Sequence, residues 1–206
     1  MQEALLYSNY GNIFFATVAD FGDQSLMNVL YHVSTPPVSD TLYAYFQAER
    51  VAVFLGYSFI RRHWRTDTKS ISPFHQDSVA VPVPTPMLTC WIPLNDCGVY
   101  APGLEVVAER LDSALPITDM PATNHARMEI DASVVERHYG DRLWHPEFDA
   151  GDALLFDGRN VHRTYVTDAM TAVRYSVELR FVNASLAPPE WVEEQGDLLV
   201  PLLRRN

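Results

Sequence analysis

The spacing of apolar residues separates a helical first part of the chain from a β-rich remainder. In residues 23–33 and 39–53, apolar side chains recur three or four positions apart, a spacing typical of amphipathic helices. Ser39 is a suitable N-cap for the second helix, after the break at Pro36-Pro37. The pattern therefore predicts flanking helices in the N-terminal part, about residues 1–52.

From Val53 onward the pattern changes to short apolar segments that are separated by Pro, Gly, Asn and Asp. Several short strands with turn residues between them indicate a mainly β fold, a sandwich or jelly roll. Residues 109–146 are more polar and are predicted to be an insertion or lid. The clearest strands are predicted at residues 53–60, 87–94, 103–107, 153–156 and 174–182.

Composition and charge narrow the class of protein. The 206 residues fit a single domain, 1–206, with a core at about 53–183 and a C-terminal tail at 184–206. A net charge of −11 argues against nucleic-acid binding, which normally needs a basic surface. Two cysteines predict no disulfide framework. The sequence has neither a long apolar run nor a basic, then apolar, N-terminus, so we expect a cytoplasmic protein without a membrane partner.

His75-Gln76-Asp77 and the later His162 form a candidate metal site. Two imidazoles and one carboxylate are the ligand set of a facial triad, which binds Fe(II) and leaves coordination positions open. On a strand, His75 and Asp77 would point to the same face while Gln76 turns away. His162 follows an apolar run and is predicted at a strand end, from which it would supply the third ligand.

Several segments around these residues resemble the phytanoyl-CoA dioxygenase family. The match spans roughly residues 55–182 and keeps the order of the motifs. It implies a double-stranded β-helix (jelly roll, cupin-like) that binds Fe(II) and 2-oxoglutarate. Where the family often has Pro-Gly-Ser-His, this chain has Ala108-Glu109-Arg110-Leu111, which leaves the shape of that loop open. The matching segments are 73–78, 88–96, 101–107, 151–156, His162-Arg163 and Arg174.

The resemblance places a 2-oxoglutarate anchor at Arg174. A guanidinium matches a carboxylate with two parallel hydrogen bonds, better than lysine does. Arg174 follows His162 by twelve residues, enough to turn and begin an adjacent antiparallel strand. Ser176 points the same way as Arg174 and can donate a further hydrogen bond. Thr89 is a third candidate for contact with the co-substrate.

Some residues have a structural interpretation beside the functional one. His145-Pro146-Glu147 is also a His-x-Glu motif, but proline disfavours a central strand, so we predict a loop. Trp91 is interpreted as a core residue. Arg180 shares a face with Arg174, and we predict a salt bridge at the far end of the strand.

A basic cluster at residues 61–65 precedes the candidate metal motif. Arg61, Arg62 and Phe74 are candidates for substrate binding, because the arginines could meet a carboxylate or phosphate. The alternative for the cluster is a solvated edge whose charges balance nearby acids.

Together these residues predict an Fe(II)- and 2-oxoglutarate-dependent dioxygenase. It would oxidise a small molecule with molecular oxygen, by hydroxylation, and release succinate and carbon dioxide. Desaturation, cyclisation and epimerisation remain open, as does the oligomeric state. Two alternatives are a cupin-type metalloenzyme that uses no 2-oxo acid and a non-catalytic binding module with the same fold.

Overall fold

Two antiparallel sheets form the body of the protein. The computed structural model describes residues 15–17, 28, 35–54, 57–66, 71–80, 86–119, 128–187 and 199–201. The described helices are α1 (Val38–Phe46), α2 (Asp77–Ala80) and α3 (Ala132–Tyr139), which a 3-10 turn (Gly140–Arg142) follows. The strands are β1 (Phe15–Thr17), β2 (Val51–Phe54), β3 (Phe59–His63), β4 (Met87–Pro93), β5 (Gly103–Val107), β6 (Leu143–Trp144), β7 (Leu154–Asp157), β8 (His162–Tyr165), β9 (Arg174–Asn183) and β10 (Leu199–Pro201).

Strand β9 is the centre of the larger sheet. One of its edges pairs with β4, and its other edge pairs with β3 along the first half and β2 along the second. Strands β7, β1 and β10 extend the sheet beyond β4, β3 and β2 respectively. Because β9 is bonded on both edges, its side chains are held in register with three other strands.

The smaller sheet has the order β6-β5-β8. His75 extends it through an isolated antiparallel bridge to His162. Strand β9 does not pair with β8; it lies in the larger sheet. The expectation that Arg174 would start a strand adjacent to His162 is therefore wrong, because the connection crosses from one sheet to the other.

The two faces of the larger sheet differ in polarity. Val177, Leu179 and Phe181 of β9 lie on the face that packs with Leu42 of α1. Because side chains alternate along a strand, the intervening residues point to the opposite face, toward the smaller sheet. They are Arg174, Ser176, Glu178 and Arg180, and all four are buried. A buried polar face between two sheets is where the functional site is expected.

Helix α1 is shorter than the sequence pattern indicates. It ends at Phe46, and Gln47 adopts the left-handed conformation with a φ of 47°. Residues 51–53, predicted as the end of this helix, belong instead to the fully buried strand β2, which pairs with β9. The predicted strand at 53–60 is likewise two strands, β2 and β3. Pairing with β9 decided these assignments, and local periodicity does not report it.

The predicted fold class is confirmed. The predicted strands at 87–94, 103–107, 153–156 and 174–182 correspond to β4, β5, β7 and β9 within one residue at each end. Both cysteines are free and buried. The predicted helix at 23–33 lies outside the described residues apart from Asn28. Within the described ranges, no helix combines the length and the apolar character needed to cross a membrane.

Gly98 occupies a position that another residue would strain. Its φ is +99°, and an added Cβ would lie 2.6 Å from the backbone oxygen of Pro146. Gly151 has a similar φ of +93°, but no atom within 4 Å of an added Cβ. At this φ an alanine costs about 1–3 kcal/mol. We expect Gly98→Ala to lower the free energy of unfolding, measured by urea denaturation, by more than Gly151→Ala does. Equal losses would contradict a steric contribution at Gly98.

Candidate metal centre

The structure brings His75, Asp77 and His162 together. One ligand atom of each lies within 4.8 Å of the others, and all three side chains are buried. His75 and His162 exchange backbone hydrogen bonds of 3.0 Å in both directions, which fixes the two imidazoles side by side. The prediction that Asp77 lies on a strand with His75 is wrong, since Asp77 begins α2. The turn into this helix, rather than strand alternation, directs its carboxylate toward the imidazoles.

Both imidazoles are held in the form that binds metal. The Nδ1 atoms of His75 and His162 lie 2.7 Å and 3.0 Å from the backbone oxygens of Pro73 and Asn160. A carbonyl oxygen accepts only, so each Nδ1 carries the hydrogen and each Nε2 keeps its lone pair. Burial lowers the pKa of His75 to about 3 and also lowers that of His162. Neutral imidazoles therefore face the carboxylate of Asp77.

The carboxylate of Asp77 contacts four groups. Its Oδ1 lies 3.8 Å and 3.9 Å from the Nε2 atoms of His75 and His162. Oδ1 accepts a hydrogen bond of 2.9 Å from Nη2 of Arg180, and Oδ2 accepts one of 2.7 Å from the hydroxyl of Thr89. Burial is the largest single influence and would raise the pKa of Asp77, but Arg180, His162 and His75 together outweigh it and hold the pKa well below its usual range. The carboxylate is thus ionised and ready to bind a cation.

A partly open cavity adjoins these three side chains. Both sheets contribute to its walls, the larger one through its polar face. Besides the His75, Asp77 and His162 side chains, the cavity is lined by Arg61, Ser72, Thr89, Trp91, Arg174 and Glu178, among others.

Arg174 is fully buried at this cavity. Its Nη1 donates to the Gly103 oxygen at 2.7 Å, and its Nη2 lies 2.7 Å from Nδ1 of His63. Its guanidinium carbon is 5.3 Å from the centre of the Trp91 ring. Burial lowers the pKa of Arg174 to about 10, so the side chain stays charged at neutral pH.

Two residues that line the cavity, Arg174 and Trp91, and Ser176 on the same face of β9 as Arg174 each have a buried donor atom without a hydrogen-bond partner. Within the described part of the chain, Nε of Arg174, Oγ of Ser176 and Nε1 of Trp91 are unpaired. Buried polar atoms are usually paired, and an unpaired donor costs about 1–3 kcal/mol. Donors left unpaired beside a cavity indicate that an acceptor binds there.

The other candidate residues lie in different places. Arg61 reaches the cavity, with its Nε 3.1 Å from a carboxylate oxygen of Glu178. Arg62 is not part of the lining, and its guanidinium lies 4.8 Å from the centre of the Trp64 ring. Phe74 is buried outside the cavity lining, beneath the guanidinium of Arg163. Of the three predicted substrate contacts, Arg61 alone lines the cavity beside the candidate metal ligands.

Sequence reasoning missed two functional features of this site. Arg180 forms the predicted salt bridge, but the sequence did not indicate that its partners are the candidate ligand Asp77 and, at 3.6 Å, Glu178. Trp91 packs in the core against Phe148 and also lines the cavity. The one sequence signal for the role of Arg180 was the alternation of side chains along the strand, which places Arg180 and Arg174 on the same face.

Gln76 links the candidate metal motif to the polar segment 109–146. Its side chain is fully buried. The Gln76 Oε1 accepts from the backbone nitrogen of Leu115 at 2.7 Å, and its Nε2 donates to the Arg159 oxygen at 2.7 Å. The residue between the two ligands thus fastens the start of this segment beside the metal motif. In the described part, the segment contains α3, the 3-10 turn and β6.

His145-Pro146-Glu147 lies away from the candidate ligands. His145 is half exposed, with its Nδ1 3.4 Å from Glu105, and follows β6 directly. The prediction of a loop at this motif agrees with the structure.

Comparison with known proteins gives matches to solved structures alone. No protein-family profile and no curated protein matches the chain. The non-heme alpha-ketoglutarate-dependent carbocyclase SnoK from nogalamycin biosynthesis is 19% identical with a TM-score of 0.66, over 93% of this chain and 76% of that one. The epimerase SnoN from the same biosynthesis is 15% identical with a TM-score of 0.56, over 82% and 61% of the respective chains.

A third similar structure is EvdO2 from Micromonospora carbonacea var. aurantiaca, complexed with 2-oxoglutarate. It is 17% identical with a TM-score of 0.58, over 87% of this chain and 72% of that one. This chain thus spans about three fifths of the length of SnoN and about three quarters of SnoK and EvdO2. At these identities the likeness establishes the fold, and the resemblance to the phytanoyl-CoA dioxygenase family stays a prediction. The chain has the jelly-roll fold of these proteins.

Proposed function

We propose that this chain is an Fe(II)- and 2-oxoglutarate-dependent dioxygenase. It would oxidise a small-molecule substrate with molecular oxygen and release succinate and carbon dioxide. The observation that carries this proposal is the convergence of His75, Asp77 and His162 beside a cavity that is also lined by Arg174, whose Nε is unpaired.

The three candidate ligands suit Fe(II). Two neutral imidazoles and one carboxylate on one side of an ion leave positions on its other side for co-substrate and oxygen. A closed site of four protein ligands would be structural instead, and within the described residues these three are the one such cluster. When bound here, iron would supply the activation of oxygen, which no protein side chain can perform.

The cavity suits a dicarboxylate co-substrate. Arg174 would bind the carboxylate far from the metal through its free Nε, and Ser176 would add its hydroxyl. The bonds of Arg174 to Gly103 and His63 hold the guanidinium in place before the co-substrate arrives. A preorganised cation costs less conformational entropy on binding than a mobile one.

The similar structures support the same class of chemistry. SnoN was solved in complex with Fe3+, alpha-ketoglutarate and a nogalamycin compound, and EvdO2 with 2-oxoglutarate. Their names include an epimerase and a carbocyclase. For this chain we propose hydroxylation. Whether the enzyme would hydroxylate, desaturate, cyclise or epimerise its substrate depends on how the substrate is placed over the iron.

The proposed partners are a small-molecule substrate and molecular oxygen, in the cytoplasm. Two free, buried thiols suit a reducing compartment. The net charge of −11 disfavours nucleic acid as a partner.

Turnover of 2-oxoglutarate tests the proposal. The protein is loaded with Fe(II) under anaerobic conditions, then exposed to oxygen with a library of small molecules, and succinate is quantified. We expect succinate that depends on Fe(II) and rises with a true substrate, because oxidation is coupled to decarboxylation. Asp77→Ala should lose it, since the carboxylate ligand is gone, and the half-exposed His145→Ala should retain it. Substrate oxidation without succinate would favour the cupin-type alternative, and metal binding without any turnover would favour the binding module.

A further inference from the structure

The orientation of the Asp77 carboxylate is set from two sides by neutral and charged donors. Thr89 bonds Oδ2 at 2.7 Å, and Arg180 bonds Oδ1 at 2.9 Å. Oδ1 is also the oxygen that lies between the two imidazoles, 3.8 Å and 3.9 Å from their Nε2 atoms. Rotating the carboxylate about its Cβ–Cγ bond would break both hydrogen bonds at once.

The two donors form one unit of the larger sheet. Thr89 of β4 and Arg180 of β9 are directly opposite each other in the register of these strands. Asp77 comes from a different part of the chain, at the start of α2, where Ser78 is bonded to the Gly158 oxygen. The larger sheet thus holds both donors in fixed positions beside the carboxylate.

Arg180 is itself held firmly. Its Nη1 donates to the Tyr57 oxygen at 2.6 Å, and its Nη2 lies 3.6 Å from Glu178. Its backbone nitrogen donates to the hydroxyl of Ser58 at 3.1 Å, and its guanidinium lies 5.2 Å from the centre of the Phe59 ring. Because these contacts fix the guanidinium, its hydrogen bond holds the Asp77 carboxylate in a fixed position relative to the sheet.

We propose that Thr89 and Arg180 are positioning residues that present Oδ1 of Asp77, alone, to the metal ion. This inference rests on the proposed function in assuming that Asp77 is a metal ligand. With both donors in place, Oδ2 is turned to Thr89, so Asp77 binds through one oxygen and the other coordination positions stay free for co-substrate and oxygen. The partners of a metal-binding carboxylate commonly change metal affinity 10- to 100-fold when they are removed.

This role differs from two simpler roles. If Thr89 contacted the co-substrate, its loss would alter 2-oxoglutarate binding and leave metal binding unchanged. If Arg180 acted only through its charge, its loss would tighten the binding of a divalent cation, because a repulsion is removed. Positioning of Asp77 requires the opposite result, which is weaker metal binding in both cases.

Co(II) titration without 2-oxoglutarate tests the role of Thr89. Thr89→Val keeps the shape and removes the hydroxyl, whereas Thr89→Ser keeps the hydroxyl. We expect the Co(II) dissociation constant to rise about 10-fold or more for Thr89→Val, with a shift of the Co(II) d–d bands as Oδ2 becomes free to bind. Thr89→Ser should bind like the unmodified protein. Thr41→Val is a matched control, because it removes a hydroxyl hydrogen bond on the exposed side of α1.

Arg180 is tested in the same way with Arg180→Gln and Arg180→Lys. We expect Arg180→Gln to weaken Co(II) binding and Arg180→Lys to restore part of it, since lysine can still donate to Oδ1. Far-UV circular dichroism and urea denaturation of the metal-free variants separate a loss of fold from a loss of positioning. If Arg180→Gln does not fold, the Thr89 variants decide the matter.

The outcomes separate this inference from the proposed function. If the unmodified protein binds no Co(II), the proposed function fails. If it binds Co(II), and folded Thr89→Val binds with the same constant and the same spectrum, the positioning role is overturned. Tighter Co(II) binding by folded Arg180→Gln would also overturn it, and would leave the metal site itself intact.

Discussion

His162→Ala is expected to abolish the visible charge-transfer band that Fe(II) and 2-oxoglutarate produce together under anaerobic conditions. His162 supplies one of three candidate ligands, so only His75 and Asp77 would remain. Loss of a direct ligand should exceed the 10- to 100-fold effect typical of residues that merely support a ligand, so we expect a metal dissociation constant raised by more than about a hundredfold. Absorbance near the band and Co(II) titration measure the two effects.

His145→Ala is the matched control for this change. His145 is the alternative His-x-Glu motif, half exposed and outside the candidate ligand cluster, so the band should remain. His162 packs between His75 and Phe156, at ring distances of 4.2 Å and 4.6 Å, so its loss also leaves space in the site. Thermal unfolding of the metal-free variant shows whether the fold survives. A band that survives in folded His162→Ala and disappears in His145→Ala would reverse the ligand assignment.

Arg174→Gln is expected to raise the 2-oxoglutarate dissociation constant at least tenfold. Removing one partner of a buried charge pair costs about 2–5 kcal/mol, and about 1.4 kcal/mol corresponds to a factor of ten. Isothermal titration of the Mn(II)-loaded protein under anaerobic conditions measures the constant without turnover. Metal binding itself should change little, because Arg174 does not contact the three candidate ligands in the structure.

Two variants control for the loss of packing around Arg174. Arg174→Lys keeps the charge but not the planar pair of donors, so we expect an intermediate constant. Arg142→Gln removes an exposed arginine that pairs with Glu109, and should leave the constant unchanged. An unchanged constant in folded Arg174→Gln would mean that another cation binds the co-substrate. Arg61 would then be the candidate, because Arg180 is already bonded to Asp77.

The polar face of β9 shows what the local sequence pattern predicted correctly and what it did not. Alternation along the strand predicts that Arg174, Ser176 and Arg180 share a face, and the structure places all three on the buried face toward the smaller sheet. The pattern does not say what each one contacts. Arg174 bonds to Gly103 and His63, whereas Arg180 bonds to Asp77. The two arginines lie on the same face of the strand but contact different groups, so alternation alone does not predict what each one does.

The N-terminal helix shows where local patterns failed. Residues 39–53 have helical spacing throughout, yet the chain leaves the helix at Gln47 and Val51 enters a strand. The four residues of β2 are all buried, and three of them, Val51 to Val53, pair with β9. A strand that is buried on both faces has apolar residues at every position, so its sequence does not alternate between apolar and polar residues. A short apolar run of this kind is compatible with either a helix or a strand.

The sequence by itself determined the candidate ligands, their order and most of the strands, because these depend on residue chemistry and on local alternation. The tertiary structure decided how the ligands are held. Thr89, predicted to contact the co-substrate, donates its hydrogen to Asp77 from twelve positions away, and Arg180 reaches the same carboxylate from 103 positions away. Such partners depend on the register of β4 against β9 and on the turn into α2. Local periodicity carries no information about either, because it reports which face a residue occupies and not what lies opposite.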